Sequence, residues 1–298
     1  MELTYIFGIL FGLFATTMFN LMPILQKDVL DQMETITAKN TIQSFKIMLS
    51  DRKWLIGGLL GILGGIPYSI ALEWVGVSIL QPLMNFGFIA LVWASQKYLK
   101  EELSTPAKTG IVIMILMPIF ISLGQVSNTT VIITEIETLN NLYFYLGLLG
   151  VIAFFLTLFS YKFNASVLLA IATGVFFAMG ALGGQTAMAY IGAAGYQFPQ
   201  EIGPIIRNAF SHPDLRRMVL FFGISIIFNS LAGYFFQVGL QQDKASRFTP
   251  INQTLNIMAT ITGGILVFGQ FVAQPVWYIV GLGCAIVGTF LLGKYQIV

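Results

Sequence analysis

The sequence predicts an all-α polytopic membrane protein with nine transmembrane helices, arranged as a 4+1+4 inverted-topology repeat. Three observations lead to this prediction. The 298 residues are 56% hydrophobic and only 9% charged, with a mean hydropathy of +0.82. Nine stretches are apolar enough to cross a bilayer, and similar motifs recur in both halves of the chain. Soluble domains carry about 25% charged residues, so this chain cannot cover a water-facing surface of its size.

Composition also excludes several function classes. The net charge of +2 is too small to indicate nucleic-acid binding. A single Cys excludes a disulfide framework or a thiolate metal cluster, and a single His excludes a multi-His metal site. The sequence therefore predicts no cofactor and no nucleic-acid partner.

The nine spans follow from length and hydropathy. A helix needs about 20 apolar residues to cross a hydrocarbon layer of about 30 Å, and barrel strands would be shorter and strictly alternating. The first stretch lacks the basic region and cleavage site of a signal peptide, so we count it as a span. The predicted spans are 3–26, 54–74, 77–98, 109–126, 141–161, 166–191, 218–240, 248–268 and 275–293.

The placement of Lys and Arg predicts the orientation, because cytoplasmic loops are enriched in both. With nine spans, one side of the membrane receives 12 of the 15 basic residues, and the other receives only Arg207, Arg216 and Arg217. We therefore expect an integral protein of the plasma or inner membrane with the N-terminus outside and the C-terminus in the cytoplasm.

Two loops are long enough to hold structure of their own. Loop 27–53 contains a predicted amphipathic helix around 41–49. Loop 192–217 is interrupted by three prolines, which predicts a broken, partly interfacial segment. This second loop is either solvated or a cap that faces a substrate.

Matching motifs indicate an internal repeat. Leu, Ser and Pro recur at one spacing in the turn 72–82 and in the turn 240–250, and a Gly-x-Phe motif recurs at Gly12 and Gly174. The odd fifth span inverts the second half relative to the first. The predicted divisions are a first four-helix repeat (1–126), a linking helix (127–164) and a second, inverted repeat (165–298).

An inverted repeat favours transport, because two such halves can rock and expose a central site to either side of the membrane. The alternative is a duplication without transport. Glycine stripes in the second and sixth spans indicate close helix contacts (Gly57, Gly58, Gly61, Gly64, Gly65, Gly180, Gly183 and Gly184).

Polar residues at membrane depth identify a candidate substrate site, because they are costly unless they face the bundle interior. They are almost all neutral, and Gln185, Asn229 and Gln237 belong to this set. Gln81 and Asn85 share one helix face in the third span, as Asn252 and Asn256 do in its repeat partner. The predicted substrate-binding residues are Asn20, Tyr68, Gln81, Asn85, Trp93, Asn252, Gln253 and Asn256. The alternative is that these amides only bond neighbouring helices.

No catalytic constellation is recognisable, and we expect no enzyme activity. His212 lies in a loop without a nucleophile motif. The acidic pairs Glu101/Glu102 and Glu135/Glu137 are expected in solvated loops.

The motifs Gln81-Pro82-Leu83, Leu99-x-x-Glu102-Leu103-Ser104 and Phe248-Thr249-Pro250-Ile251 resemble the drug/metabolite transporter (DMT) superfamily. The nine-span layout is closest to its NIPA-like magnesium transporters, beside the ten-span EamA-like branch. This resemblance implies a carrier fold and either metabolite or magnesium transport. The NIPA-like pattern has a Gly-Glu pair where this chain has Gly64-Gly65, so Glu73 would be nearly the only acidic ligand for a cation.

The sequence therefore leaves three functions open. The first is an alternating-access carrier of a small organic metabolite bound by neutral amides and aromatic rings. The second is a magnesium or other divalent-cation transporter with Glu73 as a metal ligand. The third is a non-transporting membrane scaffold or lipid-handling protein. The expected partners are the substrate or ion and the lipid bilayer, and the sequence leaves a homodimer open.

Cysteine labelling tests the predicted orientation. With Cys284 replaced by Ser, a membrane-impermeant maleimide applied to intact cells should label Ser211→Cys in the predicted outer loop. Gln43→Cys should stay unmodified until the cells are opened. The reverse pattern would place the basic-rich side outside.

Overall fold

The computed structural model describes residues 2–37, 39–75, 77–124, 136–198 and 200–294. The side chains of residues 2–4, 72, 73, 77–79, 81, 82, 136 and 294 lie outside this description. The elements are all helices: α1 (Glu2–Leu30), α2 (Thr41–Ser50), α3 (Arg52–Val75), α4 (Val77–Tyr98), α5 (Thr105–Leu123), α6 (Ile136–Phe163), α7 (Ser166–Ala193), α8 (Ile202–Asn208), α9 (Pro213–Gln242), α10 (Ala245–Phe268) and α11 (Pro275–Lys294).

Eight helices in the described residues are long and apolar enough to cross a membrane, namely α1, α3, α5, α6, α7, α9, α10 and α11. This confirms the prediction of an all-helical, polytopic membrane protein. The third predicted span corresponds to α4, which has 22 residues and is not one of the eight. The assignment of α4 as a span, the total of nine spans and the inverted repeat therefore stay predictions.

Local signals set several helix boundaries. Ser104 accepts a hydrogen bond from the Ala107 N–H at the start of α5, which begins four residues earlier than predicted. Asp51 accepts from the backbone N–H groups of Lys53 and Trp54, so it caps α3. At the other end of a span, α10 stops before Gly269, whose φ of +63° suits glycine.

The helices form two compact units, and each is described by itself. Unit 1 comprises Met1–Val126, Phe236–Ile251 and Ala273–Val298. Unit 2 comprises Ser127–Phe235 and Asn252–Val272. The first predicted half lies in unit 1, whereas the second contributes to both units, so packing and the proposed repeat divide the chain differently.

Glycines bring helices together inside unit 1. A Cβ at Gly57 would lie 3.1 Å from the backbone oxygen of Met22 on α1, and one at Gly61 would lie 2.7 Å from the Met22 sulfur. No atom would lie within 4 Å of a Cβ at Gly58 or Gly65. One side of the predicted stripe therefore packs on α1, as small-residue contacts in membranes do.

The same device joins α7 to α9 in unit 2. The missing Cβ of Gly183 would lie 3.2 Å from the Phe221 backbone oxygen. The core here includes Leu182, Tyr190 and Phe221, all buried, and the Tyr190 and Phe221 rings stack with centroids 5.8 Å apart.

The contact between α5 and α11 in unit 1 yields a stability prediction. A Cβ at Gly288 would lie 2.5 Å from Met114 Cγ and 2.9 Å from the Gly110 oxygen, whereas the exposed Gly283 has nothing within 4 Å. We expect Gly288→Ala to lower the free energy of unfolding by about 1–3 kcal/mol through overpacking.

Gly283→Ala on the same helix is the matched control and should be neutral or stabilising, because alanine favours helix by about 1 kcal/mol. Thermal unfolding of the purified protein measures both variants. Equal melting temperatures would contradict the described α5–α11 contact.

Candidate functional site

Two buried asparagines in unit 1 carry unpaired oxygen atoms. Asn20 on α1 donates through Nδ2 to the Thr16 backbone oxygen at 2.9 Å. Asn85 on α4 donates to the Met114 backbone oxygen of α5, also at 2.9 Å. The two side chains are 1% and 0% exposed, and neither Oδ1 has a hydrogen-bond partner among the described residues. An unsatisfied buried acceptor costs about 1–3 kcal/mol, which a donor on a bound molecule would offset.

A close helix crossing explains why Asn20 is buried. The Thr16 hydroxyl on α1 donates to the Met84 backbone oxygen on α4. One turn further along α4, a Cβ at Gly87 would lie only 2.1 Å from Asn20 Nδ2. Glycine at position 87 therefore makes the space that the Asn20 amide occupies.

The other predicted site residues of unit 1 lie in different surroundings. Tyr68 is half-buried and contacts Phe19 edge-on, with centroids 6.2 Å apart. Trp93 is 54% exposed, and Lys97 Nζ lies 4.7 Å from its ring centroid. The exposure places Trp93 on the outside of unit 1 near the end of α4, where its contact with Lys97 is a cation–π interaction.

Two further predictions fall outside the description. The side chains of Gln81 and Glu73 are not among the described residues, so the proposed amide donor and the proposed metal ligand both stay predictions.

In unit 2, the predicted site residues lie on α10 beside α7. Asn252 is 5% exposed, and its Nδ2 has no partner within the described chain. Asn256 accepts from the Thr260 hydroxyl at 3.3 Å, and both Asn256 and Gln253 are half-buried. A Cβ at Gly174 would lie 2.5 Å from the Asn252 backbone oxygen, so α7 and α10 touch where the two asparagines share a face.

Sequence reasoning left Asn229 out of the site, although it belongs to the neutral polar set. It lies in the middle of α9 and is exposed in unit 2. Asn229 Nδ2 donates to the Ser225 backbone oxygen at 2.9 Å, and the Ser225 hydroxyl donates to the Gly180 backbone oxygen at 2.7 Å. An exposed amide at membrane depth is typical of a side chain that lines a polar cavity.

The carboxylate of Glu101, in unit 1, is buried. Glu101, three residues after the end of α4, is 7% exposed. It accepts hydrogen bonds from the backbone N–H groups of Ala245 and Ser246, at 2.6 and 3.0 Å, and from the Ser246 hydroxyl. A carboxylate at a helix N-terminus is favoured by the helix dipole and the free N–H groups. We call this contact the Glu101 cap of α10.

Charged neighbours complete the turn between α9 and α10. The Arg247 guanidinium pairs with the Asp243 carboxylate at 2.6 Å, and both side chains are more than 90% buried. Lys244 Nζ donates to the Glu102 backbone oxygen at 2.7 Å. The turn is thus tied to the segment after α4 by one carboxylate and one ammonium group.

Amides tie the end of α9 to the end of α1 within unit 1. Gln237 Nε2 donates to Gln26 Oε1 at 2.9 Å, and its Oε1 accepts from the Trp54 indole at 3.2 Å. Gln241 donates to the Leu30 backbone oxygen and accepts from the Ile36 N–H. Gln237 from the neutral polar set therefore has a partner in unit 1 at both its amide nitrogen and its amide oxygen.

The expectation that Glu101 lies in a solvated loop is wrong. The run 100–102 is charged and reads as a surface turn, but its partner is the start of α10, more than 140 residues later in the chain. The usable sequence signal is weak: a helix that begins with Ala245-Ser246 and lacks an acidic residue in its first turn needs an acceptor from elsewhere.

No group of three or more His, Cys, Asp or Glu side chains that could hold a metal ion occurs in the described part of the chain. Comparisons with protein-family models, curated proteins and solved structures give no match.

Two matched variants test whether the Glu101 cap stabilises the protein. Glu101→Gln removes the charge that the α10 N-terminus binds, and we expect the free energy of unfolding to fall by about 1–3 kcal/mol. Glu102→Gln is the control, because the structure uses the backbone oxygen of this exposed residue and not its carboxylate. Thermal unfolding compares the two, and equal losses would show that Glu101 does not cap α10.

Proposed function

We propose that this chain is an alternating-access carrier of a small organic metabolite, with a drug/metabolite transporter-like nine-span inverted repeat. The observation that carries the proposal is the set of buried neutral side chains whose polar atoms lack partners. Among the described residues, these include Asn20 and Asn85 in unit 1 and Asn252 and Thr254 in unit 2. Such groups suit a polar ligand that supplies the missing hydrogen bonds.

Charge favours an uncharged or zwitterionic solute. Each buried charged side chain in the described part of unit 1 already has a partner. Arg247 pairs with Asp243, Glu101 binds the α10 N-terminus, and Lys27 donates to Asp31 and to the Leu240 backbone oxygen. The atoms left for a ligand belong to amides and hydroxyl groups.

Glycine packing supports the inverted repeat. The repeated Gly-x-Phe motif places each glycine at an equivalent crossing: Gly12 of α1 lies against Leu80 and Leu83 of α4, and Gly174 of α7 lies against Asn252 and Leu255 of α10. Both are contacts between the first and third spans of a proposed half.

The short helices repeat as well. Between its first two spans, the first half has α2 and the second half has α8. In an inverted repeat these two helices lie on opposite sides of the membrane.

The Glu101 cap supplies a contact that such a cycle must break. It joins the end of α4, in the first proposed half, to the start of α10, in the second. In the proposed mechanism the cap, the Lys244 contact and the Gln26–Gln237 bond hold the predicted cytoplasmic ends of both halves together. They separate when the site opens on that side.

A ligand screen followed by matched variants tests the proposal. Purified protein is screened for thermal stabilisation by metabolites and by divalent cations, because a ligand of the folded state raises its stability. Uptake of each stabilising compound is then measured in proteoliposomes. For an organic substrate, Asn85→Ala and Asn252→Ala should each weaken binding about tenfold, corresponding to one lost hydrogen bond.

Asn141→Ala, at an exposed position on α6, is the control and should bind normally. Each variant is compared with its own unliganded melting temperature, which separates binding from folding. Unchanged affinity in both Asn85→Ala and Asn252→Ala would reject the proposed site. Magnesium uptake that depends on Glu73 would instead favour a cation transporter, and the absence of any flux would favour a scaffold.

A further inference from the structure

The short helix α2 presents separate faces to protein and to its surroundings. Ser44 and Met48, four residues apart, are buried in unit 1. Ile42, Phe45 and Leu49 follow at i, i+3 and i+7, so they form a second, apolar face. Ile42 and Leu49 are 76% and 56% exposed, and we call these three residues the apolar stripe.

The third face of α2 is mostly polar, although Ile47, which is 46% exposed, also lies on it. Gln43 and Ser50 are exposed there, and Lys46 lies between them and the apolar stripe. A shallow depression on this side is lined by Gln43, Lys46, Ile47, Ser50 and Asp51. Amine, amide and hydroxyl groups therefore border the stripe, an arrangement typical of helices that lie in a membrane interface.

The segment 27–53 around α2 carries five basic residues against four acidic ones, Glu34 among the latter, so its net charge is +1. Asp28 binds Lys53 at 2.6 Å, Asp31 binds Lys27 at 2.9 Å, and Asp51 accepts from the backbone at the start of α3. Lys39, Lys46 and Arg52 have no carboxylate within 4.0 Å in the described part of the chain. These three basic side chains are available to an anionic partner.

We propose that α2 lies in the headgroup region of the predicted cytoplasmic leaflet and binds anionic phospholipids. The apolar stripe reaches the acyl boundary, and Lys39, Lys46 and Arg52 contact the lipid phosphates. Lysine and arginine suit this role because their aliphatic stems extend along apolar surface while their charges stay in water. This inference rests on the membrane fold and the basic-side orientation, and it is independent of the proposed transport activity.

The position of α2 favours lipid over a protein partner. A membrane-spanning helix, α3, begins at Arg52, two residues after α2 ends, so α2 lies at the edge of the hydrocarbon layer. Interfacial helices bury their apolar face about 5–10 Å into the boundary between headgroups and acyl chains, and the apolar stripe gives α2 such a face. Basic residues beside such a helix are attracted to the negative surface of a cytoplasmic leaflet.

Quenching by spin-labelled lipids tests the placement. In full-length protein with Cys284 replaced by Ser, an environment-sensitive fluorophore is attached to Ile42→Cys on the stripe or to Gln43→Cys on the polar face. The protein is reconstituted in nanodiscs of phosphatidylcholine with phosphatidylglycerol. Doxyl-labelled phospholipid should quench position 42 several-fold more than position 43. Equal quenching, or none at either position, would overturn the proposal and favour a protein partner for the stripe.

A charge-removal pair tests the lipid preference. Native mass spectrometry measures how much phosphatidylglycerol, relative to phosphatidylcholine, stays bound to the detergent-purified protein. Lys39→Gln/Lys46→Gln/Arg52→Gln should reduce this preference about tenfold or more. Lys97→Gln/Lys108→Gln/Lys162→Gln makes the same charge change on the same predicted side and should reduce it much less. Equal reductions in the two triple variants would overturn the proposal, since the preference would then follow net charge alone.

Discussion

The absence of water in the hydrocarbon region is the constraint on which the rest of this structure depends. Every polar group at membrane depth needs a partner within the protein or on a bound molecule. The backbone meets this demand by forming helices throughout the described spans. Side chains meet it in specific ways: the Thr16 hydroxyl binds the Met84 carbonyl, and Asn85 binds the Met114 carbonyl. The few polar atoms without such partners are therefore informative.

The buried polar atoms without partners differ in chemistry from the buried groups that have partners. In the α9–α10 turn, Asp243 and Arg247 pair with each other, Glu101 binds the α10 N-terminus and Lys244 donates to a backbone oxygen, so each of these charged groups has a partner. Removal of one member of the buried pair would leave the other charge unpaired. The unpaired atoms on Asn20, Asn85 and Asn252 are neutral. One end of unit 1 is thus held by charged groups, while the buried atoms without partners on these three residues belong to neutral amides, which is the basis for proposing a neutral or zwitterionic solute.

Much of the fold follows from the sequence because hydropathy, glycine spacing and prolines act locally. The composition predicts long apolar helices, and the pattern around 41–49 predicts α2. Helix faces are harder to predict, since Gly61 contacts α1 whereas Gly65 does not. Glu101 could not be placed, because its partner is an N-terminus that only the tertiary structure brings near. Trp93 shows the same difficulty, since its exposure depends on which side of α4 meets neighbouring helices.

Accessibility from both sides of the membrane tests the central claim of alternating access most directly, and it needs no known substrate. With Cys284 replaced by Ser, Asn85→Cys in sealed vesicles is exposed to a membrane-impermeant thiol reagent applied on one side or the other. Alternating access predicts modification from each side. It also predicts that reaction from the predicted cytoplasmic side becomes faster when Glu101→Gln weakens the cap. Modification from one side only, or from neither side in both proteins, would contradict it.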